Sequence, residues 1–230
     1  MPRQIAQSIK NVERKLMRSF GKDISTPRGR LAAKLHFQLL DHAFLRTIWT
    51  NFFPVAPGVW RSNQPSQGRI RRHYRNGIHT ILNLRGPDPL SFYLFEKEIC
   101  DELGINLIDI KIYARRLVPK ERYLELLDIF EKIDRPFLLH CKSGADRAGL
   151  ASALWLMHME GVPVATAKKQ LGLKYVHVKW SKTGILDHML DCYEADTAET
   201  PMPIRKWFEE RYDEEAITAS FNGKKGASSQ

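Results

Sequence analysis

The chain has 230 residues, 43% apolar and 27% charged, which suits one globular domain able to bury a substantial core. Its three cysteines, Cys100, Cys141 and Cys192, are widely spaced and odd in number, which excludes a disulfide-stapled scaffold and a zinc module. The net charge of +10 is weighted toward residues 1–50, with ten Lys/Arg against three acids, and suits anionic ligands of any kind.

Residues 1–20 place Ile5, Ile9, Val12, Leu16 and Phe20 at helical spacing, with Gly21 as a stop. Such a basic amphipathic helix suits an anionic membrane surface, a docked solvated helix or a targeting segment, and the sequence leaves these open. Ser25-Thr26-Pro27 is a helix start, and residues 31–49 read as one helix burying the face of Leu31, Leu35, Leu39, Phe44 and Ile48. No apolar run is long enough to span a bilayer and no signal-peptide pattern is present, so the cytoplasm is the expected location.

Two short strands flank the turn Pro57-Gly58, and Arg61-Ser62-Asn63-Gln64-Pro65 leads into a helix over 67–75. Residues 80–85 read as a buried strand, 90–103 as a helix stopped by Gly104, and 105–112 as a strand. Pro119 opens another helix with Tyr123, Leu126, Leu127 and Phe130 on its buried face. Short helices follow over 163–171 and 184–193, a last one over 204–217, and 223–230 reads as a disordered tail.

The chemistry sits between a buried strand ending at Leu139 and an Ala/Leu-rich helix, in His140-Cys141-Lys142-Ser143-Gly144-Ala145-Asp146-Arg147. A strand-to-helix loop turns backbone N–H groups toward one point, and Gly144 permits the turn. Cys141 opens the loop as a nucleophile and Arg147 closes it with a planar fork for two phosphoryl oxygens. The alternative of an inert core cysteine beside a surface arginine fits this register poorly.

The Cys-x5-Arg spacing preceded by His resembles the signature loop of the cysteine-dependent tyrosine and dual-specificity phosphatases. Val59-Trp60-Arg61-Ser62-Asn63-Gln64-Pro65 and Ile81-Leu82-Asn83-Leu84-Arg85 resemble the opening strands of compact bacterial members. The resemblance covers roughly residues 50–195. It implies an α/β fold, a short, mostly parallel twisted sheet flanked by helices; outside it the residues themselves read as a basic helical extension over 1–49 and a helix and tail over 196–230. It implies phosphomonoester hydrolysis through a phosphocysteine, with Lys142, Ser143, Gly144 and Ala145 binding phosphate and His140 supporting the loop backbone. It implies no metal and no cofactor.

Two departures stand out. The loop that carries the family's general acid reads here Tyr113-Ala114-Arg115-Arg116-Leu117-Val118-Pro119, without a carboxylate. Asp146, inside the signature loop as in myotubularin-like lipid phosphatases, is the favoured acid, although it could instead orient Arg147 or cap the helix. Asp109, read as mid-strand 32 residues before Cys141, is the alternative. Ala148 stands where most of the family has a hydroxyl that aids breakdown of the intermediate. The rival readings are therefore an impaired phosphatase-like module that binds phosphate, and a sulfurtransferase or arsenate reductase using the same loop. Lys142, Arg115 and Arg116 favour a polyanion such as a phosphoinositide or inositol phosphate, with phosphotyrosine protein comparable. No recognised module interleaves aromatic and basic residues, so nucleic acid is not an expected partner.

Overall fold

Five strands, Phe53–Ala56 (β1), Val59–Asn63 (β2), Thr80–Asn83 (β3), Asn106–Asp109 (β4) and Phe137–Cys141 (β5), make one sheet in the computed structural model, which describes residues 19–227. Their order is β1-β2-β5-β3-β4. Only β1 is antiparallel, turning into β2 at Gly58, whose φ is +75°. All other neighbours are parallel, which bears out a short, mostly parallel sheet.

β5 takes the centre because Phe137-Leu138-Leu139 is apolar on both faces, as a doubly covered parallel strand requires. Its alternation divides the interior. Leu138, with Ile81 of β3, faces Ile70 of helix Gln67–Arg75 (α1) and Ile99 of Ser91–Leu103 (α2). Phe137 and Leu139 face the larger core, built from Lys120–Lys132 (α3), Asp146–Met159 (α4), Ile185–Asp196 (α5) and Ile204–Glu210 (α6). Fully buried Tyr123, Phe130, Trp155 and Trp207 fill that core, each stabilising by about 1.5–3 kcal/mol on the usual scale for a large apolar side chain.

Several expectations need correction. Thr26 does cap a helix, accepting from Gly29 N at 3.0 Å, but that helix ends at Leu35. The chain widens into a π-turn over His36–Leu40 and breaks at His42, whose φ is +57°. The cause is Asp41, whose carbonyl and carboxylate are both taken by Arg46 at 2.6 Å. The face that docks on α2 is Ala33 and Phe37, against Phe92 and Phe95. Leu31, Leu35, Leu39, Phe44 and Ile48, expected inside, are exposed.

The C-terminal helix is likewise two helices, Ile204–Glu210 and Glu214–Ala227, so residues 223–227 are helical and not a loose tail. The break follows from Tyr212, whose hydroxyl donates to Val118 O at 2.7 Å, and from Asp213, which accepts from Ala216 N and restarts the helix. The expected helix over 1–20 lies outside the described residues except for its last two. Among the described residues no helix is long and apolar enough to cross a membrane.

Candidate active site

The phosphate-loop candidate leaves β5 at Cys141, whose register partner is Asn63 on β2. Two features of Gly144 explain its place. Its φ is +72°, and a Cβ there would lie 2.6 Å from Asn63 N. The loop is held from behind by Arg61, fully buried on β2, which donates to Gly144 O at 2.6 Å and Ala145 O at 3.1 Å. Its other nitrogen reaches Gln170 O at 2.8 Å, and the guanidinium lies over the Tyr175 ring at 3.9 Å. Burial pulls Arg61 down to about 10. On the other side Asn51 donates to Ser143 O at 3.2 Å and to Tyr175 O at 3.0 Å. Carbonyls of the loop are thus tied outward.

A cleft of about 560 Å³ opens over the loop, lined by Tyr113, Arg115, Arg116, Lys142, Ser143, Asp146 and Arg147 with Ala114. Arg115 and Arg116 are exposed at its mouth, and Arg116 stacks over Tyr113 at 3.8 Å. The Arg147 guanidinium has no protein hydrogen-bond partner among the described residues, and its Nε is buried. Burial, reinforced by Arg85, pulls Arg147 below its ordinary range against the opposing charges of Cys141 and Asp146. A buried guanidinium whose donors are uncommitted, at the start of a helix, is suited to a tetrahedral anion.

Lys142 behaves differently. Its Nζ lies 3.3 Å from Asp41 Oδ1, and burial lowers it against the pull of that carboxylate. Asp41 also meets Arg85, Nη2 to Oδ1, at 3.0 Å and Arg46, Nη2 to Oδ2, at 2.6 Å. Burial pushes Asp41 up, but Arg85, Arg46 and Lys142 more than reverse it and hold it at about 2. Three cations around one carboxylate leave a net positive potential under the loop.

His140 does not brace the loop backbone as expected. Fully buried, its Nε2 lies 2.7 Å from Glu96 Oε1 on α2, and Gln64 donates to the other oxygen at 2.7 Å. The imidazole thus packs its Nε2 against a helix covering the sheet, and its Nδ1 has no hydrogen-bond partner among the described residues.

The two acid candidates separate clearly. Asp109 ends β4, not mid-strand, and its carboxylate accepts from Asn83 Nδ2 at 2.7 Å and Tyr93 OH at 2.5 Å, outside the cleft. Asp146 is the one carboxylate among the described residues lining it. Its Oδ1 lies 2.8 Å from His177 Nδ1, and His177 Nε2 lies 2.6 Å from Asp187 Oδ2. With a carboxylate on each ring nitrogen, only the imidazolium donates to both. Burial pushes His177 down, but Asp146 and Asp187 raise it to about 9. The preceding residue, Val176, sits at φ +58°, strained for a β-branched side chain, which turns itself outward and His177 inward.

Sequence reasoning missed Asp41, Asn51, Gln64, Arg85 and His177. Gln64 and Arg85 lie inside the two stretches that resemble the family, but the others carry no motif, and their contacts to the site span more than 20 residues. Among the described residues no group of three His, Cys, Asp or Glu is placed to hold a metal ion.

A family model described as a DSP-PTPase phosphatase fused to NAD+ kinase matches residues 55–182. No curated protein matches the chain by sequence. Among solved structures, Tk-PTP in its active form is 19% identical with a TM-score of 0.51, covering 62% of this chain and 97% of its own. The core catalytic domain of the PP-IP phosphatase SIW14 from S. cerevisiae, in complex with citrate, is 17% identical with a TM-score of 0.50, covering 66% and 94%. Both likenesses speak to the fold.

Proposed function

This chain belongs to the DSP-PTPase family of cysteine-based tyrosine and dual-specificity phosphatases, and on that premise we propose that it hydrolyses phosphomonoesters through a phosphothiol on Cys141. The observation that carries the reading is the cleft itself: the Gly144-centred loop beside Cys141 and, among the described residues, an uncommitted Arg147 guanidinium and Asp146 as the one lining carboxylate. We assign residues 50–195 as the catalytic unit, with 27–49 and 196–227 packed on it.

In the proposed reaction the Cys141 thiolate displaces the alcohol from phosphorus in line, while Arg147 and the amides of Ser143, Gly144 and Ala145 hold the equatorial oxygens. Asp146 gives the leaving oxygen its proton, then takes one from the water that cleaves the S–P bond and releases phosphate. Arg115 and Arg116 add charge at the mouth, which supports a multiply charged substrate; the yeast relative is named as a PP-IP phosphatase, in keeping with that.

Acid-quenched incubation with phosphorus-labelled aryl phosphate tests the intermediate. Label on wild type and none on the Cys141→Ala variant is expected. A stoichiometric label that never turns over would favour the impaired-module reading, which Ala148 motivates, since it is fully buried and offers no hydroxyl.

Gly144→Ala separates loop shape from charge. A methyl 2.6 Å from Asn63 N forces the loop to move. Turnover is expected to fall about 10²-fold, the scale on which an ångström of misplacement acts. Steady-state assay with aryl phosphate beside a melting curve checks it.

Arg115→Ala with Arg116→Ala is expected to raise KM for inositol polyphosphate by roughly tenfold, about 1.4 kcal/mol, and to leave a singly phosphorylated peptide nearly unchanged. Equal effects on both substrates would remove the case for a polyanion.

A further inference from the structure

Ten large apolar side chains are exposed among the described residues, and all fall in two segments, seven over 31–49 and three over 173–180. Ile48 is 87% exposed and Trp180 68%, the highest values of the two groups. Scattered exposed apolar residues need no explanation, but confinement to two stretches does.

The segments are far apart in sequence and meet beside the phosphate loop. Asn63, the register partner of Cys141, donates through Nδ2 to Trp49 O. Asn51 joins Ser143 O to Tyr175 O. Tyr175 lies between exposed Leu173 and exposed Val176, and His177, next in line, holds Asp146. Both segments are therefore tied to the rim of the phosphate loop, one at Trp49–Asn51 and the other at Tyr175–His177.

Its charge is one-sided. Residues 168–186 carry Lys168, Lys169, Lys174, Lys179 and Lys182 and no acid. Lys168 is spent on Asp191 and Glu194, whereas Lys169, Lys174, Lys179 and Lys182 are exposed and make no ion pair among the described residues. On the other segment Arg28 and Lys34 flank exposed Leu31 and Leu35, and the only acid over 27–49, Asp41, is buried among cations. Helical turns with an outward apolar stripe, basic flanks and tryptophan at the edge match what an interfacial segment needs to sit in the headgroup layer. A protein partner would have to supply the same two things together, a broad apolar face and dense negative charge, which an anionic bilayer presents everywhere.

We infer that this rim seats the enzyme on an anionic bilayer, so that the phosphomonoester drawn into the cleft is carried by a lipid in that bilayer. The site's chemistry here rests on the phosphatase reading; the docking surface does not. Arg115 and Arg116 at the mouth would then meet the headgroup as it enters.

The test is flotation of the full chain with phosphatidylcholine vesicles, plain or doped with phosphatidylglycerol, at low and high salt. Binding to doped vesicles, weakened by salt, is expected. The Ile48→Asp, Trp180→Asp double variant should lose roughly tenfold or more in partitioning, because each change removes apolar area from the headgroup layer. Lys179→Glu with Lys182→Glu should lower binding to doped vesicles only. All these positions are exposed, so melting curves and aryl phosphate turnover should stay at the wild-type value. Faster hydrolysis of a vesicle-borne phosphatidylinositol phosphate than of its deacylated headgroup, erased by the double variant, completes the expected result. Binding indifferent to these substitutions, or a wild-type dimer that they dissolve, overturns the bilayer face. The two readings fail separately: a chain that floats but cleaves no phosphomonoester sinks the enzymatic reading alone. One that cleaves aryl phosphate without floating sinks the bilayer face alone.

Discussion

Cys141→Ser is expected to lower aryl phosphate turnover by at least ~10⁴-fold, the scale seen when an enzyme's nucleophile is removed. The change swaps sulfur for oxygen in a side chain already 1% exposed, at the end of the central strand, so the fold should keep its melting point. The effect should be confined to this cysteine. Cys100 sits in the smaller core against Ile70 and Ile99, where burial pushes its thiol up, and Cys192 is raised by burial on α5. Neither adjoins the phosphate loop, as Cys141 does. Cys100→Ser and Cys192→Ser should therefore turn over normally, and iodoacetate should inactivate the enzyme at one site that inorganic phosphate protects. If Cys141→Ser retains turnover in purified protein, the phosphothiol mechanism is wrong.

What made Cys141 readable in the sequence is that its setting is local. A buried apolar strand, a ten-residue loop and an Ala/Leu helix are contiguous, so spacing alone carries the geometry. The same holds for α1, α3 and the stop at Gly104, each settled by a cap or a proline beside it. The N-terminal segment was misread for the opposite reason. Its leucines recur at helical spacing, and periodicity cannot say whether an apolar stripe is covered by this chain. Burial went instead to the adjacent stripe of Ala33 and Phe37, and Asp41, which breaks the helix through Arg46, is drawn inside by Arg85 and Lys142, 44 and 101 residues away. Arg61, inside a motif already recognised, gave no hint that it would be fully buried behind the loop; its partners Gly144 and Gln170 come from other elements. His177 is the clearest case. It lies in a lysine-rich stretch with no motif, and only the fold sets it between two carboxylates.

That histidine decides how the acid can be tested. Asp146→Asn is expected to slow an alkyl phosphate by about 10²–10³-fold, within the range a positioned acid contributes, and an aryl phosphate with a good leaving group far less. Asp109→Asn should show no such split, because its carboxylate serves Asn83 and Tyr93 away from the cleft. His177 supplies the second half of the argument. As an imidazolium between Asp146 and Asp187 it donates to the acid at 2.8 Å and holds that carboxylate at the cleft, while the proton given to the leaving oxygen is regained from the attacking water. Its folded value, raised to about 9, lies above the ordinary 6.5, so its stabilising contribution is whole below about 6.5 and disappears as pH climbs through about 9. Alkyl phosphate turnover should fall along an alkaline limb near that value, and the melting point should fall over the same window. His177→Gln keeps a donor but no titration: it should lose turnover by roughly tenfold and flatten both alkaline limbs. Asp187→Asn should keep the limb but shift it to lower pH, since one of the two carboxylates holding the proton is gone. A merely structural His177 would lower the melting point without moving the limb in turnover. Equal rates for Asp146→Asn and wild type on the alkyl substrate would remove Asp146 as the acid and leave it the part of anchoring the His177 loop to the start of α4.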